Sequence, residues 1–347
     1  MKIKGLSVLI FGVFMINLVK GQNGVDTVAE NMLLYQRAIG GWPKAIGNIK
    51  VDYHKTLSPA DRAQTMEDAW RNDATMDNDA TYKEINHLIK AYKKTGNKVY
   101  LEAAERGIRY LIKAQNANGG WPQFYPDSSL YRADITFNDD AMINSMNVLY
   151  DVGHGEKGFD VVDHSLIEPA NEAVKKGIVC ILKTQVEVKG KLTAWCQQYD
   201  KNTLRPAPAR TFELVGLSGN ESVGVVEFLM RIPNPSSQIK NAVKSAVEWF
   251  NEVKIRGYKY VHVASPSEAS GRDAVLTRDT SSIVWARFYE IDTNRPFFAG
   301  RNSIKKYNVS EIENERRIGY GWYGMWPQQL INKDYPEWAK KNGISIR

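Results

Sequence analysis

The sequence predicts a mostly α-helical fold, a helical toroid or barrel in which helix pairs repeat and are joined by short irregular or β segments. Apolar residues recur at helical spacing in three successive pairs of segments, at about residues 77–96 and 98–115, 139–151 and 166–186, and 221–231 and 237–254. In the first two pairs the second segment leads to an aromatic turn, Gly120-Trp121 and then Ala194-Trp195. Helix pairs that recur in this way pack on their neighbours and place their connections on one face.

Residues 1–21 have the features of a secretory signal peptide. Lys2 and Lys4 form a basic start, an apolar run extends from Leu6 to Val19, and Gly21 supplies a small residue near the expected cleavage point. The run is shorter than the ~20 apolar residues that a membrane span needs. We therefore expect a secreted or periplasmic protein, with no membrane segment in its mature form, that acts as a monomer.

The remaining residues, 22–347, contain no linker rich in proline, glycine or serine, which favours a single domain. Strand signals are short, at Tyr260–Val263 and Ala274–Leu276. Cys180 and Cys196 could form one disulfide in an exported protein, but two buried free thiols are the preferred interpretation.

The charge of the chain is mildly basic. It carries 46 basic and 39 acidic residues, a net charge of +7, which falls to +4 without the three lysines of the signal segment. This excess permits an acidic polymer as a partner without requiring one, and no dense Lys/Arg block indicates nucleic acid. The chain also lacks a G-x-S-x-G motif and a Cys/His cluster of the kind that binds zinc.

Two acidic stretches precede helical patterns, Asp77-Asn78-Asp79 and Asn138-Asp139-Asp140. Asp and Asn at such positions commonly cap a helix by accepting backbone N–H bonds, and capping alone explains any one of these residues. One cap needs only one acceptor, however, and each stretch offers three oxygen-bearing side chains. Because calcium prefers such oxygen clusters, the alternative is a shared acidic metal site built at two helix starts.

Two arginines and a group of aromatic residues are further candidates for binding. Arg210 lies in a proline-rich loop and Arg301 in a turn, where a guanidinium can grip a carboxylate, although a surface salt bridge is the commoner role. In Tyr320–Gly324, glycines separate aromatic residues that include Trp322. These rings suit either a platform for sugars or a plug in the core.

Six motifs occur along the chain in this order: Thr75–Thr81, Gly119–Pro126, Ile135–Met142, Arg210–Leu214, Trp285–Glu290 and Gly319–Gly324. Together they resemble the bacterial secreted pectate lyases of polysaccharide lyase family ten, over about Gly40 to Pro327. The resemblance implies a partial (α/α) toroid, export, and a pectate lyase catalytic domain at residues 22–347. It also implies calcium-dependent cleavage of polygalacturonate by β-elimination, with 4,5-unsaturated oligogalacturonides as products.

By the same resemblance, Asp77 and Asp139 are expected to hold Ca²⁺, and Asp77 is also expected to be catalytic. Asn78, Arg210 and Trp322 are expected to bind the substrate, with Arg210 on its carboxylate.

The resemblance further implies that Arg301 takes the proton. The family often has aspartate after this arginine, whereas this chain has Asn302, so Arg278 and Arg287 are alternatives for the base. Because arginine is almost always protonated, a base role requires neighbouring cations and an alkaline medium.

Two other functions fit the same residues. A glycoside hydrolase on a helical toroid would use Asp77 and Asp139 as acid and base. A non-catalytic galacturonan-binding protein would use the same arginines and aromatic residues. The ultraviolet absorbance of an unsaturated product distinguishes a lyase from both.

Overall fold

Helices dominate the computed structural model, which describes residues 24–345, so the predicted signal segment lies outside the described residues. The helices are α1 (Thr27–Tyr35), α2 (Pro59–Glu67), α3 (Tyr82–Thr95), α4 (Lys98–Ala114), α5 (Ala141–His154), α6 (Ile167–Thr184), α7 (Glu221–Arg231), α8 (Ser237–Val253), α9 (Asn314–Gly319), α10 (Pro327–Gln329) and α11 (Tyr335–Lys341). This confirms the prediction of a mostly α-helical fold. None of the described helices is long and apolar enough to span a bilayer.

The three predicted helix pairs are present as α3–α4, α5–α6 and α7–α8. The first helices of the pairs pack on one another in the order α3, α5, α7, and the second helices in the order α4, α6, α8, with α1 beside α4. The first set is therefore an inner layer and the second an outer layer of a partial toroid. The inner helix α5 is buried along most of its length.

Three equivalent glutamines hold the pairs together. Gln115 follows the end of α4, and its side-chain amide donates to the Gly119 carbonyl of its own turn and to the Ala173 carbonyl in α6, both at 2.8 Å. Gln36 after α1 and Gln185 after α6 make the same two kinds of bond, to α4 and α8 respectively. One hydrogen bond of each glutamine thus joins an outer helix to the next, and the other holds its own turn.

A buried tryptophan follows each of these glutamines. The indole N–H of Trp42, Trp121 and Trp195 donates to a carbonyl of the preceding outer helix or its last turn, at 2.7–2.8 Å. Their own carbonyls accept hydrogen bonds from the backbone N–H groups of Thr75, Thr136 and Ser218, which lie just before the three inner helices. The aromatic turns and the inner-helix starts therefore meet on one face of the toroid, as the sequence predicted.

The strands are short except for one hairpin. They are β1 (Ala45–Ile46), β2 (Ile49–Lys50), β3 (Ile135–Thr136), β4 (Glu187–Val188), β5 (Lys191–Leu192), β6 (Gln198–Tyr199), β7 (Leu217–Ser218), β8 (Ile255–Ala264), β9 (Arg272–Ala286), β10 (Phe288–Tyr289), β11 (Phe298–Ala299), β12 (Lys305–Lys306) and β13 (Tyr323–Gly324). The antiparallel hairpin of β8 and β9 is much longer than the two short strand signals predicted, and β13 adds to it beside β9. Cys180 and Cys196 are buried free thiols, which confirms the preferred interpretation.

Candidate active site

Both acidic stretches adopt an unusual backbone at the starts of inner helices. Asn78 and Asp79 before α3 have φ of 49° and 68°, and Asp139 and Asp140 before α5 have φ of 50° and 55°. Positive φ at residues other than glycine costs free energy, and such strain concentrates at functional sites. The surrounding packing therefore imposes a loop shape that these residues would not adopt on their own.

Capping does not explain these acidic residues. The residues at the N-caps of α3 and α5, Thr81 and Asp140, make no side-chain capping bond. Among the described residues, the Asp77 carboxylate accepts bonds from Lys44 and from the Asn78 amide at 2.9 Å, and the Asp139 carboxylate from the Asn138 amide at 2.9 Å and from an arginine. Neither carboxylate is used by its helix.

One carboxylate oxygen of Asp77 has no hydrogen-bond partner within residues 24–345. The residue is 1% exposed, and its buried Oδ1 accepts no bond from this part of the chain. Lys44 and Asn78 both contact the other oxygen, Oδ2. A buried acceptor that makes no bond is costly, so Oδ1 is well suited to a cation.

Asp139 lies close enough to Asp77 for the two charges to repel. Burial raises the pKa of Asp139 to about 6, the Arg287 guanidinium opposes this, and the charges of Asp77 and Glu221 raise it further. Burial together with Glu221 and Asp139 likewise raises the pKa of Asp140 to about 7. A divalent cation between Asp77 and Asp139 would relieve this repulsion.

The protein side chains could supply only part of a calcium shell. No group of three or more His, Cys, Asp or Glu side chains suited to a metal occurs within residues 24–345. Calcium takes six to eight oxygen ligands, some of them from water or substrate. Asp77 and Asp139 fit such an open site, in which an acidic substrate would supply further oxygens.

A third helix start contributes Glu221, which was not predicted for the site, and holds Arg287, one of the two predicted alternatives for the base. Glu221, the first residue of α7, is buried and forms an ion pair with Arg287, which is 6% exposed. Arg287 also reaches Asn138 and Asp139 at 3.3 Å. The signal in the sequence is spacing, because Arg287 follows Trp285 by two residues as Lys44 follows Trp42.

The other alternative base, Arg278, lies elsewhere. It is exposed on β9, with its guanidinium 5.9 Å from the ring centre of Tyr258 on β8. No described contact joins it to the acidic residues. The structure therefore brings Arg287, and not Arg278, to the site.

Arg210 and Arg301 line a common pocket of about 590 Å³. Arg210 is partly buried, and its Nε donates to Glu213 at 2.8 Å. Burial alone would lower the pKa of Arg210, but the Glu213 carboxylate raises it above its ordinary range. Arg301 is 58% exposed and donates from Nε to Glu315 at 2.9 Å. The two guanidinium groups lie 4.9 and 5.5 Å from the ring centre of the buried Phe212.

Trp322 is a correction to the predicted substrate-binding residues. Its side chain is 0% exposed, packs edge-on against Phe288 and Phe298, and donates from Nε1 to the Arg316 carbonyl at 2.8 Å. A ring enclosed in this way cannot stack on a sugar, so Trp322 has the alternative role of a core residue. The neighbouring Tyr320 is partly exposed and packs against the Arg287 guanidinium at 4.4 Å.

The chain is similar to one protein family and to solved structures of polysaccharide lyases. Residues 36–331 match the family described as pectic acid lyase, and no curated protein matches the chain. A solved structure of a family 10 polysaccharide lyase from Cellvibrio cellulosa shares 35% sequence identity over 91% of each chain, with a TM-score of 0.79. A mutant of the family 10 polysaccharide lyase from the same organism, in complex with trigalacturonic acid, shares 34% identity over 93% of this chain and 94% of that chain, with a TM-score of 0.79.

Proposed function

Since the chain belongs to the pectic acid lyase family and is a polysaccharide lyase, we propose that it is a calcium-dependent pectate lyase. Its substrate would be (1→4)-α-D-galacturonan, cleaved by β-elimination. The observation that carries the calcium proposal is the buried Oδ1 of Asp77, which has no partner among the described residues and lies near a second carboxylate, Asp139. Two carboxylates held together by the fold favour a divalent cation and an acidic ligand that shares it.

The reaction removes the proton on C5 of a galacturonate and breaks the C4–O4 bond of the same residue, so that O4 leaves on C1 of the neighbouring sugar. The C5–H electron pair forms the C4–C5 double bond, while the electrons of the C4–O4 bond leave with O4, which takes a proton from solvent. Calcium, when bound, would offset the negative charge that builds on the substrate carboxylate in the transition state. The buried Arg287 adds fixed positive charge to the same region, and the exposed Asn78 amide can donate to the substrate.

The base must lie near the acidic pair, because the proton sits on the carbon next to the carboxylate that this region would bind. Arg210 is close enough for its charge to act on Asp139. Arg301 is at the exposed rim of the pocket and is paired with Glu315. This arrangement supports an exchange of the two roles expected from the sequence, with Arg210 as the base and Arg301 as a clamp for a substrate carboxylate.

A base role for Arg210 sets a condition on pH. The bond to Glu213 raises the pKa of Arg210, so its neutral form is scarce at neutral pH. Turnover should therefore rise as the medium becomes alkaline. Positive charge from Arg287, and from calcium when bound, would lower the pKa of Arg210, whereas Glu213 raises it.

The remaining features of the proposal concern the whole protein. We propose that residues 1–21 direct export, that residues 22–347 act as one catalytic domain, and that the enzyme is secreted or periplasmic and monomeric. Its partner would be an acidic polysaccharide, which suits the mildly basic chain.

A direct test incubates the protein with polygalacturonate and follows the ultraviolet absorbance of unsaturated product. The expected result is absorbance that is lost with excess chelator and regained with calcium. New reducing ends without that absorbance would indicate the glycoside hydrolase. Binding of the polymer with neither signal would indicate the non-catalytic alternative.

A further inference from the structure

Glu213 makes more contacts with the proposed base than any other described residue. It is 1% exposed, and its Oε2 accepts hydrogen bonds from the Arg210 backbone N–H at 3.2 Å and from Arg210 Nε at 2.8 Å. Its Oε1 accepts from Arg210 Nη2 and from the Tyr320 hydroxyl at 2.9 Å. Both oxygens of this buried carboxylate are therefore committed to Arg210 and to one tyrosine.

The backbone of the same segment reinforces this arrangement. The Glu213 N–H donates to the Arg210 carbonyl at 2.8 Å, and the Ala209 N–H donates to the Glu213 carbonyl at 3.0 Å. Residues 209–213 thus form a closed turn in which the carboxylate cannot move away from the guanidinium. Such bidentate pairing fixes the plane of the guanidinium as well as its position.

A second Arg–Glu pair in the same pocket provides a contrast. Arg301 and Glu315 are 58% and 50% exposed, and they are joined at 2.9 Å by side chains fourteen residues apart. Exposed pairs of this kind contribute little and exchange readily with solvent. The two pairs therefore differ in burial, and we expect only Glu213 to fix the orientation of its arginine.

We propose that Glu213 is a positioning residue for the elimination, which holds the Arg210 guanidinium towards the substrate and through its charge sets the pH at which the enzyme works. This inference rests on the proposed function, with Arg210 as the base. Glu213 touches Arg210 and Tyr320 and is not itself placed to contact substrate, so its effect is exerted through Arg210.

The charges around Arg210 make the direction of the effect clear. The carboxylates of Glu213 and Asp139 stabilise its protonated form, and Tyr320 would do so only as a tyrosinate, a form that burial disfavours by raising the pKa of its hydroxyl. Three other guanidinium groups carry positive charge that disfavours the protonated form of Arg210. Arg287 packs on the ring of Tyr320, and Arg301 and Arg316 pack on the ring of Phe212. Asp134 also lines the pocket.

Among these groups, Glu213 is the only described carboxylate that hydrogen-bonds Arg210. Its neutralisation should therefore lower the pKa of Arg210 more than any other single change, by ~1 unit or more for an opposite charge at this range. The neutral guanidine would then become available at lower pH.

The test compares Glu213→Gln with Glu315→Gln, the matched change in the exposed pair. For each variant, kcat and KM on polygalacturonate with calcium present are measured across the alkaline range. For Glu213→Gln we expect the rising limb of kcat to move to lower pH by ~1 unit, and the plateau to fall at least ~10-fold because the guanidinium loses its orientation. For Glu315→Gln the position of that limb should match the wild type.

A third variant predicts the opposite sign. Tyr320→Phe removes a hydroxyl donor from Glu213 and leaves its charge concentrated on Arg210, so the rising limb should move to higher pH. Because Tyr320→Phe retains the carboxylate, it also tests the inference if Glu213→Gln fails to fold. A further variant, Glu213→Asp, should keep the wild-type position of the rising limb and have a lower plateau of kcat.

Two results would overturn the inference. One is a Glu213→Gln enzyme that is folded and keeps the wild-type limb, with only KM raised. The other is a shift of the same sign in Glu213→Gln and Tyr320→Phe. Either is distinct from failure of the proposed function, which would appear as a wild-type protein that forms no unsaturated product at any pH.

Discussion

Replacement of Asp77 by Asn should separate a calcium ligand from a structural residue. The change keeps the size of the side chain and removes its charge. The protein loses one bond from the half-exposed Lys44, and the unpartnered buried oxygen no longer carries charge. Because Asp77 does not cap α3, we expect the free energy of unfolding of the metal-free variant to lie within about 1 kcal/mol of the wild-type value.

The difference should appear when calcium is added. At a concentration 100 times its dissociation constant, an ion that binds only the folded state stabilises it by about 2.7 kcal/mol. Loss of one anionic ligand should weaken binding on the order of 100-fold, and the stabilisation would then fall to about 0.4 kcal/mol. At that calcium concentration the ion would occupy about half of the variant molecules, against about 99% of the wild type, so lost occupancy alone should lower turnover about twofold.

The assay is urea unfolding with and without calcium, together with the rate on polygalacturonate. Asp79→Asn is the matched control, because Asp79 lies in the same strained loop and is exposed, and among the described residues its side chain accepts a bond only from the Tyr82 hydroxyl, at 2.9 Å. Equal stabilisation of wild type and Asp77→Asn by calcium would refute the ligand assignment. Loss of folding in parallel with activity, without calcium, would indicate a structural role instead.

The other predictions concern the base, a buried carboxyl group and a repeat contact. Arg210→Lys should lower kcat at least ~100-fold with little change in KM, whereas Arg301→Lys should mainly raise KM, and the reverse pattern in steady-state kinetics would return the base to Arg301. Burial raises the pKa of Glu84 from 4.5 to about 7, so the stability it contributes is present below pH 4.5 and is lost as the pH rises through 7. Glu84→Gln should therefore flatten the pH dependence of unfolding over that interval, as measured by urea denaturation at several pH values. Gln185→Ala removes two buried bonds and should cost about 2–3 kcal/mol in the same assay, against less than about 0.5 kcal/mol for Gln238→Ala on the exposed face of α8.

The helical repeat was predictable because its signals are local. Apolar spacing defines the helices, and each aromatic turn carries its own tryptophan close behind the helix that it contacts. The hairpin of β8 and β9 was not, since only Tyr260–Val263 and Ala274–Leu276 show strand character in the sequence. The rest of the hairpin is extended because it pairs across the ladder and, at one end, with β13. Such long-range pairing is not visible in a local pattern.

The same distinction applies to the site. Asp77 and Asp139 were predicted because each lies in a distinctive stretch just before a helix. Glu221 was not, since it is a single acidic residue at a helix start, and its ion pair with Arg287 joins residues 66 positions apart. The sequence was equally consistent with a surface and a core position for Trp322. The rings that enclose it come from β10 and β11, which are distant in the sequence. Glycines beside an aromatic residue indicate an irregular backbone, and exposure is decided by what packs on it.

The distribution of charge across the repeats bears on how a polyanion could enter this cleft. Lys44 pairs with Asp77, and Arg287 is shared between Glu221 and Asp139, so three carboxylates meet two cations at the helix starts. A substrate carboxylate approaching Asp139 would meet these negative charges, which add to burial in raising the pKa of Asp139 and which Arg287 and Arg210 offset in part. A divalent ion reverses the sign of the local charge. On the proposed function, calcium would therefore be required for binding of the substrate as well as for the chemical step.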